Sequence, residues 1–337
     1  MIVFEPSGRF ETGGNLPMQA IREAQVIKQS LSPKELAEAV GVSESSLKRW
    51  VDAGRLRAER TPGGHRRITV QEAVRFARQS QLPLVRPELL GLTDLSASRE
   101  LGSRAGATDE DHHADDLLFD ALRDGRDVLV RGLIGQWYLD GTDVAAIFDG
   151  PLRQALHRVG EIWQHDPAGV FLEHRAADIA MQAINQLRTL IRPDAGEHPA
   201  APPPSPSPAP TPVAVGGAPS GDPYLIPSLM AACVLADAGF EAMNLGPDTP
   251  IASMKTAADH QQAQLVWLSC SATKTALPDA KPLNDLANHL AARQTPLIVG
   301  GRTVPNFGAT RPTNLHVCHS MAELAAFARG LKIRQAW

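Results

Sequence analysis

Residues 212–246, PVAVGGAPSGDPYLIPSLMAACVLADAGFEAMNLG, decide the fold. A short apolar run, PVAVG (212–216), meets a loop rich in Gly and Pro. A helix-like run follows, SLMAACVLADAG (228–239), and then a second β-like run, EAMNLG (241–246). This is a strand–loop–helix–strand unit, and in such units ligands bind at the carboxyl end of the first strand. The loop at that position, GDPYLIP (221–227), holds one acid, two prolines and no histidine. Further β-like runs are LVWLS (265–269), PLIVGG (296–301) and LHVCH (315–319), separated by amphipathic stretches such as PIASMKTAADHQQ and SMAELAAFARGL. Five alternations at this spacing predict a parallel, doubly wound α/β sheet over 212–332, with strands buried on both faces.

Outward from this unit, the chain divides by composition. PAAPPPSPSPAPTP (199–212) excludes helix and central strand and reads as a semi-rigid spacer over 193–211. Residues 115–192 keep helical periodicity almost throughout, which predicts a four-helix bundle. Residues 81–114, with Pro83, Pro87 and a polar tract, read as a linker. Residues 31–80 read as a compact helical unit, and 1–30 as a polar extension. At 337 residues the chain has room for several cores. Its three cysteines have no close spacing, which excludes a disulfide framework or a zinc motif and favours a reducing cytosol. The N-terminus lacks a secretory pattern and no run is long enough to span a membrane, so a cytoplasmic protein without a membrane partner is expected. The net charge is −4, yet residues 31–80 carry ten Lys/Arg against six Asp/Glu. A locally basic segment in an acidic chain marks a nucleic-acid contact.

Within that segment, SPKELAEAVGVSESSLKRWVDAGRL (32–56) reads as helix–turn–helix. Ser32 is the N-cap, Pro33 the first helical residue, Gly41 the turn and Ser43 the second cap. Leu47, Trp50 and Val51 face inward, leaving Ser45, Lys48 and Arg49 to a DNA groove. RTPGGHRRI (60–68) follows as a basic β-wing, with Arg60, His65, Arg66 and Arg67 suited to phosphates. This segment resembles the winged helix–turn–helix of the MerR family, above all in its TPGGHRR wing. The resemblance implies a regulator that binds double-stranded operator DNA as a homo-oligomer, a dimer or a tetramer. It also implies contact with RNA polymerase or a regulatory protein.

In VGEIWQHDPAGVFLEHRAADIAMQAINQL (159–187), two helices flank a turn at 165–169. Taken as chemistry alone, Trp163 is a core aromatic, and Glu173 and His174 are a solvated first turn. Trp, nine residues, then Glu-His nevertheless resembles the helical cap of the light-sensing, adenosylcobalamin-dependent MerR repressors. There these residues cover the upper face of cobalamin, so Trp163, Glu173 and His174 become cofactor-contact candidates by resemblance. The histidine that follows the Trp in that family is Gln164 here.

The α/β region resembles the cobalamin-binding domain of the same regulators and of methionine synthases, with AGFEAMNLGPDTP (238–250) the closest stretch. By that resemblance Ser269 lies near a buried nucleotide tail, and Gly300 and Gly301 let the tail lie against backbone. The lower-face motif is broken. Asp222 remains, but Tyr224 stands where the family has its cobalt-ligating His, and Pro227 where it has Gly. A phenol with a pKa near about 10 is a poor cobalt ligand at neutral pH. Three readings stay open: a sensor domain without cofactor that serves oligomerisation or protein contact, cobalamin bound without a lower protein ligand, or another tetrapyrrole such as biliverdin. No catalytic constellation is expected. GGAPSG (216–221) is neither G-x-G-x-x-G nor a P-loop. His112 and His113 read as solvated linker residues, and His316 and His319 as packing residues.

Overall fold

The computed structural model describes residues 30–105, 114–163, 169–191, 211–272, 280–303 and 312–335. The N-terminal extension, His112, His113, Gln164, His165 and the Pro/Ser/Ala tract lie outside them.

The N-terminal unit is built by its caps. In α1 (Pro33–Ala39) the Ser32 hydroxyl accepts from Glu35 N, and the Glu35 carboxylate accepts from Ser32 N at 2.7 Å, a reciprocal capping box. Gly41, at φ +71°, turns the chain into α2 (Glu44–Asp52), whose cap is Ser43. β1 (Ser30–Leu31) and β2 (Glu59–Arg60) flank β3 (Arg66–Thr69) in an antiparallel sheet. The wing turn is closed by Thr61 N to His65 O and Gly64 N to Thr61 O. α3 (Val70–Gln79) buries Val70, Ala73, Val74, Phe76 and Ala77 beneath the unit.

The segment 81–114, expected as a linker, is structured where it is described. Val85 N and Arg86 N both donate to Ala39 O, clamping this stretch to α1. A 3₁₀ turn (Pro87–Leu90) leads to α4 (Thr93–Ala105). α4 packs along α6 (Asp127–Leu139) where α6 has no side chains: a Cβ at Gly132 would lie 2.4 Å from Ser98 Cβ and 2.5 Å from Asp94 O. Arg131 on α6 completes the seam, bonding Asp94 at 2.9 Å and Asp127 at 2.8 Å.

The bundle is α5 (Ala114–Asp124), α6, α8 (Arg153–Trp163) and α9 (Gly169–Ile191), as periodicity predicts. A short α7 (Val144–Ile147) and a π-helical turn (Phe148–Leu152), kinked at Gly150–Pro151, join α6 to α8. On α9 the helical periodicity places Leu172, Ala176, Ile179, Ala180, Ala183, Ile184 and Leu187 on one stripe; all are buried except Leu172, which is half-buried.

The third unit holds β4 (Val213–Gly217), α10 (Leu225–Asp237), β5 (Glu241–Asn244), α11 (Ile251–His260), β6 (Leu265–Ser269), α12 (Ala280–Ala291), β7 (Leu297–Gly300), β8 (Leu315–Cys318) and α13 (Met321–Gln335). All five strands are parallel in the order β5-β4-β6-β7-β8, the flavodoxin-like arrangement. One face packs on α10 and α13, the other on α11 and α12.

The bundle docks on the α10/α13 side. α9 lies along α10, and the Arg188 guanidinium donates to Ala242 O at the start of β5. The Asp149 carboxylate accepts Met321 N and Ala322 N at 2.9 Å each, capping α13 from the bundle. Arg329 on α13 reaches Asp143 at 3.5 Å and Asp237 at 3.4 Å. Burial pushes the Asp237 carboxyl above its ordinary range, and Arg78 and Arg329 oppose that shift. α3 docks on the bundle through Gln71 to Thr189 O, Arg78 to Thr142 O and the Arg78 guanidinium 3.8 Å over the Tyr138 ring.

Gly132→Val should force α4 off α6 and lower stability by about 1–3 kcal/mol. Chemical denaturation would read this, and an unchanged midpoint would return residues 93–105 to the role of a linker.

Candidate functional site

Two sites can be built, one for DNA and one at the carboxyl edge of the parallel strands. On the first, Ser45, Lys48 and Arg49 lie exposed on α2. Lys48 pairs with Glu44 at 3.0 Å across one helical turn, and Arg49 donates to Ser46 Oγ at 3.3 Å. Ser45 Oγ is 2.9 Å from Ser43 Oγ. These are weak surface contacts that a phosphate or base edge displaces at little cost. Arg60 and His65 are exposed on the wing. The two arginines expected to hold phosphates differ, because successive residues of a strand point to opposite sides. Arg66 turns toward α2 and bonds Asp52 at 2.6 Å, with 27% of its side chain exposed. Arg67 is 45% exposed and reaches Glu35 only at 3.8 Å. Arg66 therefore braces the wing against the helix, and Arg67 is the more available cation. Sequence reading missed Asp52 because its partner is fourteen residues away on another element.

The second site starts from Asp222, which is fully buried. One carboxylate oxygen accepts Tyr224 N at 3.0 Å; the other accepts Ser271 N at 2.5 Å and Ala272 N at 3.0 Å. Three backbone N–H groups satisfy the buried carboxylate and pin the β4–α10 loop to the end of β6. The carboxylate is thus committed to backbone and has no need of a histidine to orient. Tyr224 is the N-cap residue of α10, 46% exposed, with the Arg302 guanidinium 5.9 Å from its ring centroid. Pro227 falls in the first turn of α10, where an N–H has no helical partner to lose. These residues do not fit a cobalt ion ligated from below by the protein.

Ser269 is buried at the end of β6. A Cβ at Gly300 would meet Cys318 O at 2.8 Å, and one at Gly301 (φ +118°) would meet Cys270 O at 2.2 Å. Close strand approach therefore requires both glycines whether or not a ligand is bound.

Trp163 is the last residue of α8; Glu173 and His174 lie in the second turn of α9. Because Arg188 meets the start of β5, α9 and α10 run in the same direction, and both begin at the strand carboxyl edge. Counting back from Arg188 at about 1.5 Å per residue, His174 and Glu173 lie about 21–23 Å along α9, toward its start. That start carries Val170 and Phe171, 49% and 62% exposed, with the Arg175 guanidinium 5.1 Å from the Phe171 ring centroid. Val170, Phe171, Arg175 and Arg302 were not singled out from sequence; their only signal is apolar residues at a helix start and an Arg after paired glycines. Among the described residues, no cluster of His, Cys, Asp and Glu could hold a metal, and no helix is long and apolar enough to cross a membrane.

A MerR family regulatory protein model matches residues 32–68, and a B12 binding domain model matches residues 115–188. No curated protein is detectably similar in sequence. Solved structures with similar folds include a monomethylamine corrinoid protein of Methanosarcina barkeri (18% identity, 64% of this chain and 96% of that chain, TM-score 0.44). Others are a cobalamin-binding protein of Desulfitobacterium hafniense DCB-2 (17%, 67% and 98%, TM-score 0.29) and the methanol:cobalamin methyltransferase complex MtaBC of Methanosarcina barkeri (16%, 86% and 92%, TM-score 0.33). The chain thus joins a MerR-family DNA-binding domain to a cobalamin-binding-like domain, the organisation of a MerR-type regulator.

Proposed function

We propose that this regulator binds operator DNA through α2 and its wing, and senses a tetrapyrrole-type ligand at the strand carboxyl edge. The start of α9 carries the reading: Val170 and Phe171 on α9 and Tyr224 at the start of α10 are three of the four large apolar residues left exposed among the described residues. Exposed apolar side chains at the helix starts beside a parallel sheet suit a ligand surface. A flat tetrapyrrole supplies the matching plate, and Arg302 and Arg175 suit its carboxylates. Such a ligand needs no axial ligand from Tyr224. Glu173 and His174 on α9 would complete the wall, as the resemblance implies.

Sensing reaches DNA through α9, which touches α10 on one side and α3 on the other. A ligand that binds one arrangement of α9 and α10 better shifts the protein toward it. In this proposal the outcome is a change in homo-oligomeric state and hence operator affinity, with light one means of changing the ligand. A cofactor-free regulator is the second reading, favoured by the three backbone N–H groups that Asp222 accepts.

Two measurements test the proposal. Arg67→Ala should weaken operator binding about fivefold across sequences and flatten the log–log salt slope by about one. Asp52→Ala should weaken it with the slope unchanged, since it frees the wing without removing a phosphate contact. Identical slopes for both variants and the unaltered chain would remove the wing from the interface. Separately, the protein is incubated in the dark with adenosylcobalamin, biliverdin or haem, then desalted. A retained visible band lost in Phe171→Ala is the expected result; no retained band with any of the three leaves the cofactor-free regulator.

A further inference from the structure

Trp267 stands in the middle of β6 and is 1% exposed. Strand alternation turns Leu265, Trp267 and Ser269 toward α10 and α13, while Val266, Leu268 and Cys270 turn toward α11 and α12. Its register partner on β4 is Gly216. A Cβ built there would lie 2.2 Å from the indole Cδ2, so the ring lies over backbone that has no side chain of its own. One row nearer the carboxyl edge the partners are Ser269, Gly300 and Cys318, all small. On the α10/α13 face, side-chain bulk is therefore small in the edge row and large one row inside, where the indole sits, so that a trough running inward from the edge row would end on Trp267. The indole Nε1 is buried and has no hydrogen-bond partner among the described residues. An unpaired buried N–H is unfavourable, so what Trp267 supplies at this position is bulk.

Ser269 and the Gly300–Gly301 pair are the positions that the resemblance assigns to a buried nucleotide tail, and Trp267 lies directly beneath them on the same face. We propose that Trp267 closes this trough, so that the sensor accepts a tetrapyrrole ring at the strand edge and excludes one carrying a nucleotide tail. The inference rests on the tetrapyrrole reading above and narrows it to tail-less ligands. It is independent of the missing lower ligand, because a corrin ring with a tail and one without it lose that ligand equally.

The test compares adenosylcobalamin with adenosylcobinamide, which has the same corrin ring and upper ligand but no nucleotide tail. The full-length protein is incubated with each in the dark and desalted, and the retained visible band is titrated. Retention of the cobinamide at least about tenfold tighter than the cobalamin is expected. Trp267→Gly should gain at least about tenfold in cobalamin affinity, whereas Trp267→Phe, which keeps the bulk and removes the unpaired N–H, should exclude cobalamin as the unaltered chain does. Equal retention of both compounds by the unaltered chain overturns the proposal, as does a folded Trp267→Gly protein with no gain. Circular dichroism reports folding; where Trp267→Gly does not fold, Trp267→Val takes its place under the same criterion. If the unaltered chain holds neither compound, the corrinoid form of the tetrapyrrole reading fails. The closed trough is then decided by the glycine or valine variant alone: a gain in cobalamin upholds it and no gain overturns it.

Discussion

The packing of α9 against α10 is the contact on which the arrangement of the three units depends. α9 buries one side on α5, α6 and α8 and another on α10, and its last turns receive Gln71 from α3. A helix buried on several sides cannot shift without disturbing each neighbour, because interiors are close-packed. Its small residues make this possible: Ala176, Ala180 and Ala183 let neighbouring helices approach, while Ile179, Ile184 and Leu187 fill the gaps between them. One rigid rod, about 33 Å long by its 23 residues, therefore runs from the strand carboxyl edge to the DNA-binding unit.

The parts of the fold that could be read from sequence are those set by local pattern. Ser32 and Ser43 announce their helices because a cap acts within three residues. The five strands announce themselves because a parallel sheet buries both faces and leaves no polar alternation to confuse the reading. α4 escaped for the opposite reason. It buries a narrow strip, Leu95 and Ser98, against the bare backbone of Gly132, so SASRELGSRA reads as polar tract. The signal for α4 lies on α6, in two glycines that look like helix weakeners until a partner is placed on them. Gly135, where a Cβ would meet Leu95 at 3.3 Å, is the second of these.

The site was legible only as positions. Asp222 in its motif reads as the remnant of a metal site, yet its carboxylate closes onto Ser271 and Ala272, about fifty residues on. Arg66 and Arg67 read alike in TPGGHRR, yet strand alternation sends one to Asp52 and leaves the other more exposed beside Glu35. Trp267 is one apolar residue of the run LVWLS in sequence, and only the register with Gly216 shows what space it fills. In each case the deciding partner lies on a different element, where neither periodicity nor spacing can point.

These three residues bear on one another. Asp222 holds the lower loop to β6 through the N–H groups of Ser271 and Ala272. In the proposed sensor the responsive element is then α9, with Phe171 exposed at one end of the rod and Thr189 bonded to the MerR-type unit near the other. A ligand covering Phe171 and Tyr224 together gains contacts only in arrangements where α9 and α10 keep their present offset. Its coupling to DNA is then the difference in contact between arrangements that keep this offset and those that do not.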